Sequence, residues 1–131
     1  MPEFTNPADL HDPTAFGYSH SVRVPAGGDL VWVAGQYASG PDGRVVSGDF
    51  KEQVKTSLSN LGIALAAHGL DFTDVIQLRT YIVQPDFDRL GALSEAVASR
   101  FQTPPVNTLL GVAALAMPDM LFEVEAVALR P

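Results

Sequence analysis

The sequence predicts an α+β domain, two helices packed on one mixed sheet, in the order β-β-(β)-α-β-α-β-β. Three observations lead there. Two stretches repeat apolar residues at spacings of three and four, which places one apolar stripe along a helix. Short β-rich runs bounded by Gly, Pro and Asp surround these stretches. The last run alternates with a period of two, the pattern of a strand with two unlike faces.

Structure breakers crowd the start of the chain, so residues 1–15 read as an irregular arm laid over a single domain spanning 1–131. Tyr18 to Val24 and Asp29 to Gln36 are strand-like, and Pro25-Ala26-Gly27-Gly28 between them is turn chemistry, so the pair reads as a β-hairpin. A second turn, Ser39 to Gly43, leads into a short strand, Arg44 to Val46. From Asp49 the period changes: Phe50, Val54, Leu58, Leu61 and Leu65 share one helical face. Asp49 with Glu52 three residues on forms a capping-box-like start, and Gly69 stands where a C′ residue belongs. Val75 to Val83 is β-rich and ends at Pro85. A second helix runs from Asp86 to Phe101 with Leu90, Leu93, Val97 and Phe101 on one side, and Pro104-Pro105 stops it. Two final strands, Val106 to Leu115 and Leu121 to Leu129, complete the order. In the last, Phe122, Val124, Ala126 and Ala128 should meet the helices. Glu123 and Glu125 share the opposite face with Val127 and Leu129, a mixed surface that suits partial cover by another subunit.

With 131 residues, 47% of them hydrophobic and 18% charged, the chain has material for one core and not two. It has no cysteine, which excludes disulfides, thiolate nucleophiles and cysteine-based metal sites. Its three histidines lack metal-ligand spacing and no HExxH motif occurs, so no metal is expected. The net charge of −7 opposes nucleic acid, whose binding needs basic groups that displace phosphate counterions. No apolar run approaches the roughly 20 residues that span a bilayer, and the N-terminus lacks an export leader. The expectation is a cytoplasmic protein that engages neither membrane nor nucleic acid.

Several local strings, taken in order, resemble the RidA/YjgF family from Gly17 onward: Gly17-Tyr18-Ser19, Val33-Ala34-Gly35-Gln36, Asp74-Val75-Ile76, Pro105 and Phe122-Glu123-Val124-Glu125-Ala126. The resemblance implies a chorismate-mutase-like fold, a homotrimer with small-molecule clefts between neighbouring subunits, and cofactor-free hydrolysis of 2-aminoacrylate-type enamines and their imine tautomers to a keto acid and ammonia. In such a family an arginine grips the substrate carboxylate, a glutamate positions or activates the attacking water, and a tyrosine closes over the ligand.

Carried over position by position, the tyrosine matches Tyr18 and the glutamate matches Glu123, the two candidate catalytic residues. The substrate-binding positions fall at Ala34, Gly35, Gly91, Asn107, Thr108 and Leu109. Asn107 stands where the family has its arginine, Ala34 where it has a serine, Gly91 near its asparagine and Leu109 where a cysteine is common. These changes leave a cleft more apolar than the family's pattern. Asn107 and Thr108 suit a neutral carbonyl or amide better than a carboxylate. Read from residues alone, Glu123 is as well explained as a solvated or interface-paired carboxylate, with Arg79 or Arg100 pairing with it or with Glu125, and Tyr18 as packing. Two function classes follow: a cofactor-free imine or enamine hydrolase with a substrate outside the family's usual set, and a non-catalytic ligand-binding or protein-interaction trimer.

Overall fold

The computed structural model describes all 131 residues. Its elements are β1 (Glu3–Thr5), β2 (Ser21–Arg23), β3 (Asp29–Gln36), α1 (Phe50–Ala66), β4 (Val75–Val83), α2 (Phe87–Ala98), β5 (Val106–Val112) and β6 (Phe122–Arg130), with short 3-10 turns at Thr14–Phe16 and Phe72–Asp74. The main sheet has strand order β3-β6-β4-β5. β6 runs antiparallel to both neighbours, and β4 pairs parallel with β5 through the α2 crossover, so the sheet is mixed as expected.

Both helices lie on one face of that sheet. Leu58, Leu61 and Leu65 of α1 and Leu93 and Val97 of α2 bury against Leu78, Ile82, Phe122, Val124, Ala126 and Ala128 in a single cluster of sixteen buried residues. Asp49 caps α1 by accepting the Glu52 amide at 3.0 Å, and Asp86 caps α2 through the Arg89 amide at 2.7 Å. Gly69, at φ 72°, takes the left-handed conformation that closes α1. Gln53 is the polar member of the core. Its amide donates to Ser47 and Asp119 carbonyls at 2.8 and 2.9 Å and accepts the Leu121 amide at 2.8 Å, which ties the loop before β6 to α1.

Four expectations need correction. The hairpin between the first two strand-like runs does not form, because β2 pairs with β1 of the N-terminal arm while β3 pairs with β6. The turn chemistry is real, with Gly27 and Gly28 at φ 102° and 81°, but it carries the chain from one sheet to another. A β-carbon on Gly28 would lie 2.5 Å from the Arg130 carbonyl oxygen, which marks how closely this turn abuts β6. Residues 1–15 are therefore not wholly irregular. Glu3–Thr5 is a strand, held by its ladder to Ser21–Arg23 and by the Arg23–Glu3 ion pair at 2.6 Å. Arg44 to Val46 contributes one bridge, Ser39 to Val45, because the intervening turn closes on itself. β5 stops at Val112 rather than Leu115, opposite the last residue of its partner, Val83.

Candidate functional site

The first group of candidate residues gathers where the N-terminal arm meets the start of β5. Gly17 leaves the 3-10 turn at φ 82°, a left-handed conformation that glycine adopts without cost. Ser19 then forms a parallel bridge to Val106, its amide bonding the Pro105 carbonyl at 3.0 Å and its hydroxyl the Pro104 carbonyl at 2.6 Å. Those bonds set Tyr18 beside Asn107. Together with Thr108 and Leu109 these residues line a cleft of about 380 Å³, closed behind by Phe16, Leu90, Leu93 and Val97. The Asn107 carboxamide oxygen accepts the buried Thr80 hydroxyl at 3.3 Å, while its nitrogen has no partner within the chain and is available as a donor. The Tyr18 hydroxyl meets His11 Nε2 at 2.7 Å.

The second group lies elsewhere. Glu123 is on the face of β6 opposite the helices, half-buried beside β3. There the ladder slips between Val33 and Gln36, so that Ala34 and Gly35 form a bulge. A β-carbon on Gly35 would sit 2.7 Å from the Glu123 carboxyl carbon, so only a glycine lets this backbone approach so near. Burial, and then the neighbouring charge of Glu125, raise the Glu123 pKa above the ordinary carboxylate range. Glu125 is held by a hydrogen bond from the Tyr81 hydroxyl, and that bond with burial raises the tyrosine's own pKa. Tyrosine, not arginine, is thus the partner: Arg79 forms no ion pair and Arg100 bonds carbonyls of Ala96 and Lys55.

The candidates therefore divide between two faces of one sheet. Asn107 is in register with Leu78 and Leu109 with Thr80, both pointing to the helix side, whereas Glu123 is in register with Tyr81 on the open side. Gly91 joins neither group: it is exposed on α2, with open space around its missing side chain. One residue along a helix is about 100° of rotation, so its neighbours Leu90, Leu93 and Ser94 face the cleft instead. Phe16, Leu90, Leu93, Ser94 and Val97 are cleft residues that sequence reasoning passed over, having assigned the apolar stripe of α2 wholly to the core. The signal was present in the polar Ser94 interrupting that stripe. His20 packs edge-on against Tyr18, ring centroids 5.6 Å apart.

Comparison with known proteins gives these positions a setting. The family model described as Endoribonuclease L-PSP matches residues 10–130. A rat 2-iminobutanoate/2-iminopropanoate deaminase is 35% identical over 121 residues, 90% of this chain and 84% of the relative. The chain belongs to the RidA/YjgF family. A Rid-family protein of unknown function from Yersinia pestis superposes with a TM-score of 0.88 at 32% identity, over 98% of both chains. A YjgF/YER057c/UK114 family member from Mycobacterium tuberculosis gives a TM-score of 0.66, also at 32% identity, over 98% of this chain and 99% of that one. Within this RidA/YjgF fold, no lysine or arginine lines the Tyr18 cleft. A bound anion would find hydrogen-bond donors there and no countercharge. No helix is long and apolar enough to cross a membrane.

Proposed function

We propose that copies of this chain assemble, as a trimer, so that the Tyr18–Asn107 cleft of one copy is closed by the Glu123 face of the next, and that the joined site hydrolyses the C=N bond of a neutral, largely apolar imine or its enamine tautomer without a cofactor. The observation that carries this reading is the division of the candidate residues between opposite faces of one sheet. One copy presents ligand donors without a base, and the other face presents a base without a pocket wall. The open face also carries what a sheet leaves for a partner: Trp32 is 70% exposed on the edge strand β3 with the exposed Leu30 beside it, and Leu110 is exposed on β5 at the opposite edge.

In the joined site, Glu123 accepts a proton from water as the water oxygen attacks the C=N carbon. Its raised pKa strengthens it as a base, and the proton it takes from water then passes to the departing nitrogen. Asn107 and Tyr18 hold the nitrogen or a neighbouring carbonyl oxygen as neutral donors. The small imino acids in the rat relative's name carry a carboxylate, and such a group favours a cationic clamp that Asn107 does not supply. The substrate proposed here therefore lacks a small carboxylate and fills the apolar wall of Phe16, Leu90 and Leu93.

Ammonia release from a panel of imines tests this, with carboxylate-bearing members generated in situ by an amino-acid oxidase beside carboxylate-free aryl and alkyl imines. Preferential turnover of the carboxylate-free members is expected. Preferential turnover of the imino acids contradicts the substrate class, and silence across the panel contradicts the hydrolase. The second reading, a non-catalytic ligand-binding trimer, draws on Asn107, Ala34 and Gly91 standing where the family's polar groups are expected. It predicts saturable binding of the same compounds with no turnover. Cytoplasmic residence goes with both readings, and the −7 charge argues against a nucleic-acid partner.

A further inference from the structure

We infer that His11 is a positioning residue for Tyr18: its imidazole donates Nε2–H to the phenolic oxygen, which leaves the Tyr18 proton free to point at a ligand heteroatom in the cleft. The inference rests on the small-molecule reading of that cleft and extends it to the N-terminal arm. His11 is the only residue hydrogen-bonded to the Tyr18 hydroxyl, at 2.7 Å. A hydroxyl has one proton, so the partner's role decides the hydroxyl's role. If His11 accepted, the Tyr18 proton would be spent on the arm and the cleft would meet only an acceptor oxygen. If His11 donates, Tyr18 joins the free Asn107 amide as a second donor converging on one ligand atom.

The His11 ring is held as a positioning group must be. His20 donates its Nε2–H to the His11 carbonyl at 2.8 Å and packs edge-on against the His11 ring, centroids 4.8 Å apart. A carbonyl only accepts, so His20 is itself committed as a donor. The His20 backbone amide is fixed in turn by the Asn6 side chain at 2.8 Å, which links the arrangement to the strand at Glu3–Thr5. Phe16 closes the other side of the His11 ring, edge-on at 6.0 Å. Asp12 lies beside both imidazoles. Its carboxyl is held below its usual range chiefly by the Thr14 hydroxyl and amide, with a further contribution from His11 and His20.

Long-range ¹H–¹⁵N correlation of the imidazoles in uniformly labelled full-length protein tests the inference without any substrate. His11 is expected to carry its proton on Nε2, and that nitrogen's resonance is expected to move in Tyr18→Phe. An unprotonated Nε2 in the wild-type protein, or a resonance indifferent to Tyr18→Phe, overturns it. Turnover of the best imine from the panel adds a second readout. His11→Phe is expected to lower kcat about tenfold, to the level of Tyr18→Phe, with KM little changed, and the double variant to be no worse than Tyr18→Phe alone. His11→Gln, which offers an amide N–H near the Nε2 position, should recover most of that loss. Additive losses in the double variant, or no recovery with glutamine, overturn the inference. A wild-type protein silent on every imine refutes the hydrolase reading alone, because the tautomer of His11 is still decided by the spectrum.

Discussion

The two faces of the main sheet differ in how complete they are. On the helix side, the chain supplies most of a pocket: α2 as a wall, β5 as a floor, and Phe16 to Tyr18 of the arm along its rim, pinned by Ser19. On the open side, Glu123 and Glu125 lie in a band of Trp32, Tyr81 and Val127 with nothing above them. One region has its walls and donors from its own chain. The other holds a carboxylate pushed toward its neutral form with no ligand wall in front of it, a cost that folding alone does not explain. The proposed assembly accounts for that contrast by making the functional unit larger than the folded unit, and each half can be altered without touching the other.

The sharpest way to separate the halves is Glu123→Gln. It should lower kcat for imine hydrolysis by about a hundredfold or more, the scale of a lost general base, while leaving ligand affinity at the Tyr18 cleft nearly unchanged. The same variant reports on stability. Because the folded state raises the Glu123 pKa, it binds a proton more readily than the unfolded chain does. Its ionisation therefore opposes folding, and stability declines as pH rises from the ordinary carboxylate range through the raised folded value. Thermal unfolding of Glu123→Gln should match wild type at acidic pH and exceed it at neutral pH. A wild-type curve no less stable at neutral pH than Glu123→Gln would remove the strain from the open face.

Asn107→Arg tests the cleft half by returning a cation to it. A charged hydrogen bond contributes about 1.5–3 kcal/mol, so kcat/KM for carboxylate-bearing imines should rise at least tenfold relative to carboxylate-free ones. An unchanged ratio would mean that position 107 does not meet the ligand's polar end. Gly35→Ala should have the smallest effect. Its β-carbon meets the far end of a flexible side chain, so the fold should lose little stability, while the Glu123 carboxyl must move and turnover should fall several-fold. Circular dichroism melts and kinetics on one preparation separate the two.

Elements were legible in the sequence where local signals decide them. The stripes of α1 and α2, the Asp49 cap, and the alternation of β6 all lie within one element, and they form as the pattern implies. Pairing was not local. Gly27 and Gly28 announce a turn but do not say which strand receives the next one, and the arm at Glu3–Thr5 took the place of β3 beside β2. Site residues followed the same division. Tyr18, Asn107 and Leu109 come together because Ser19 bridges to Val106, next to Asn107 on β5. Gly91 was placed one residue from the helix face that matters, where about 100° of rotation separates pocket from solvent. His11 was not legible as a site residue, because its partner is fixed by the arm's path and not by spacing.

The central claim, that the Asn107 side of one copy faces the Glu123 side of another, is tested most directly by cross-linking. The chain has no cysteine, so Leu109→Cys and Ala34→Cys each introduce a single thiol, one on each half. The two variants, differently tagged, are unfolded together, refolded as a mixture and treated with a short bis-maleimide. The account predicts a covalent dimer carrying both tags, formed in the mixture and lost when either thiol is absent. Chains that remain monomeric on a denaturing gel, or that dimerise equally with one thiol type alone, would contradict it.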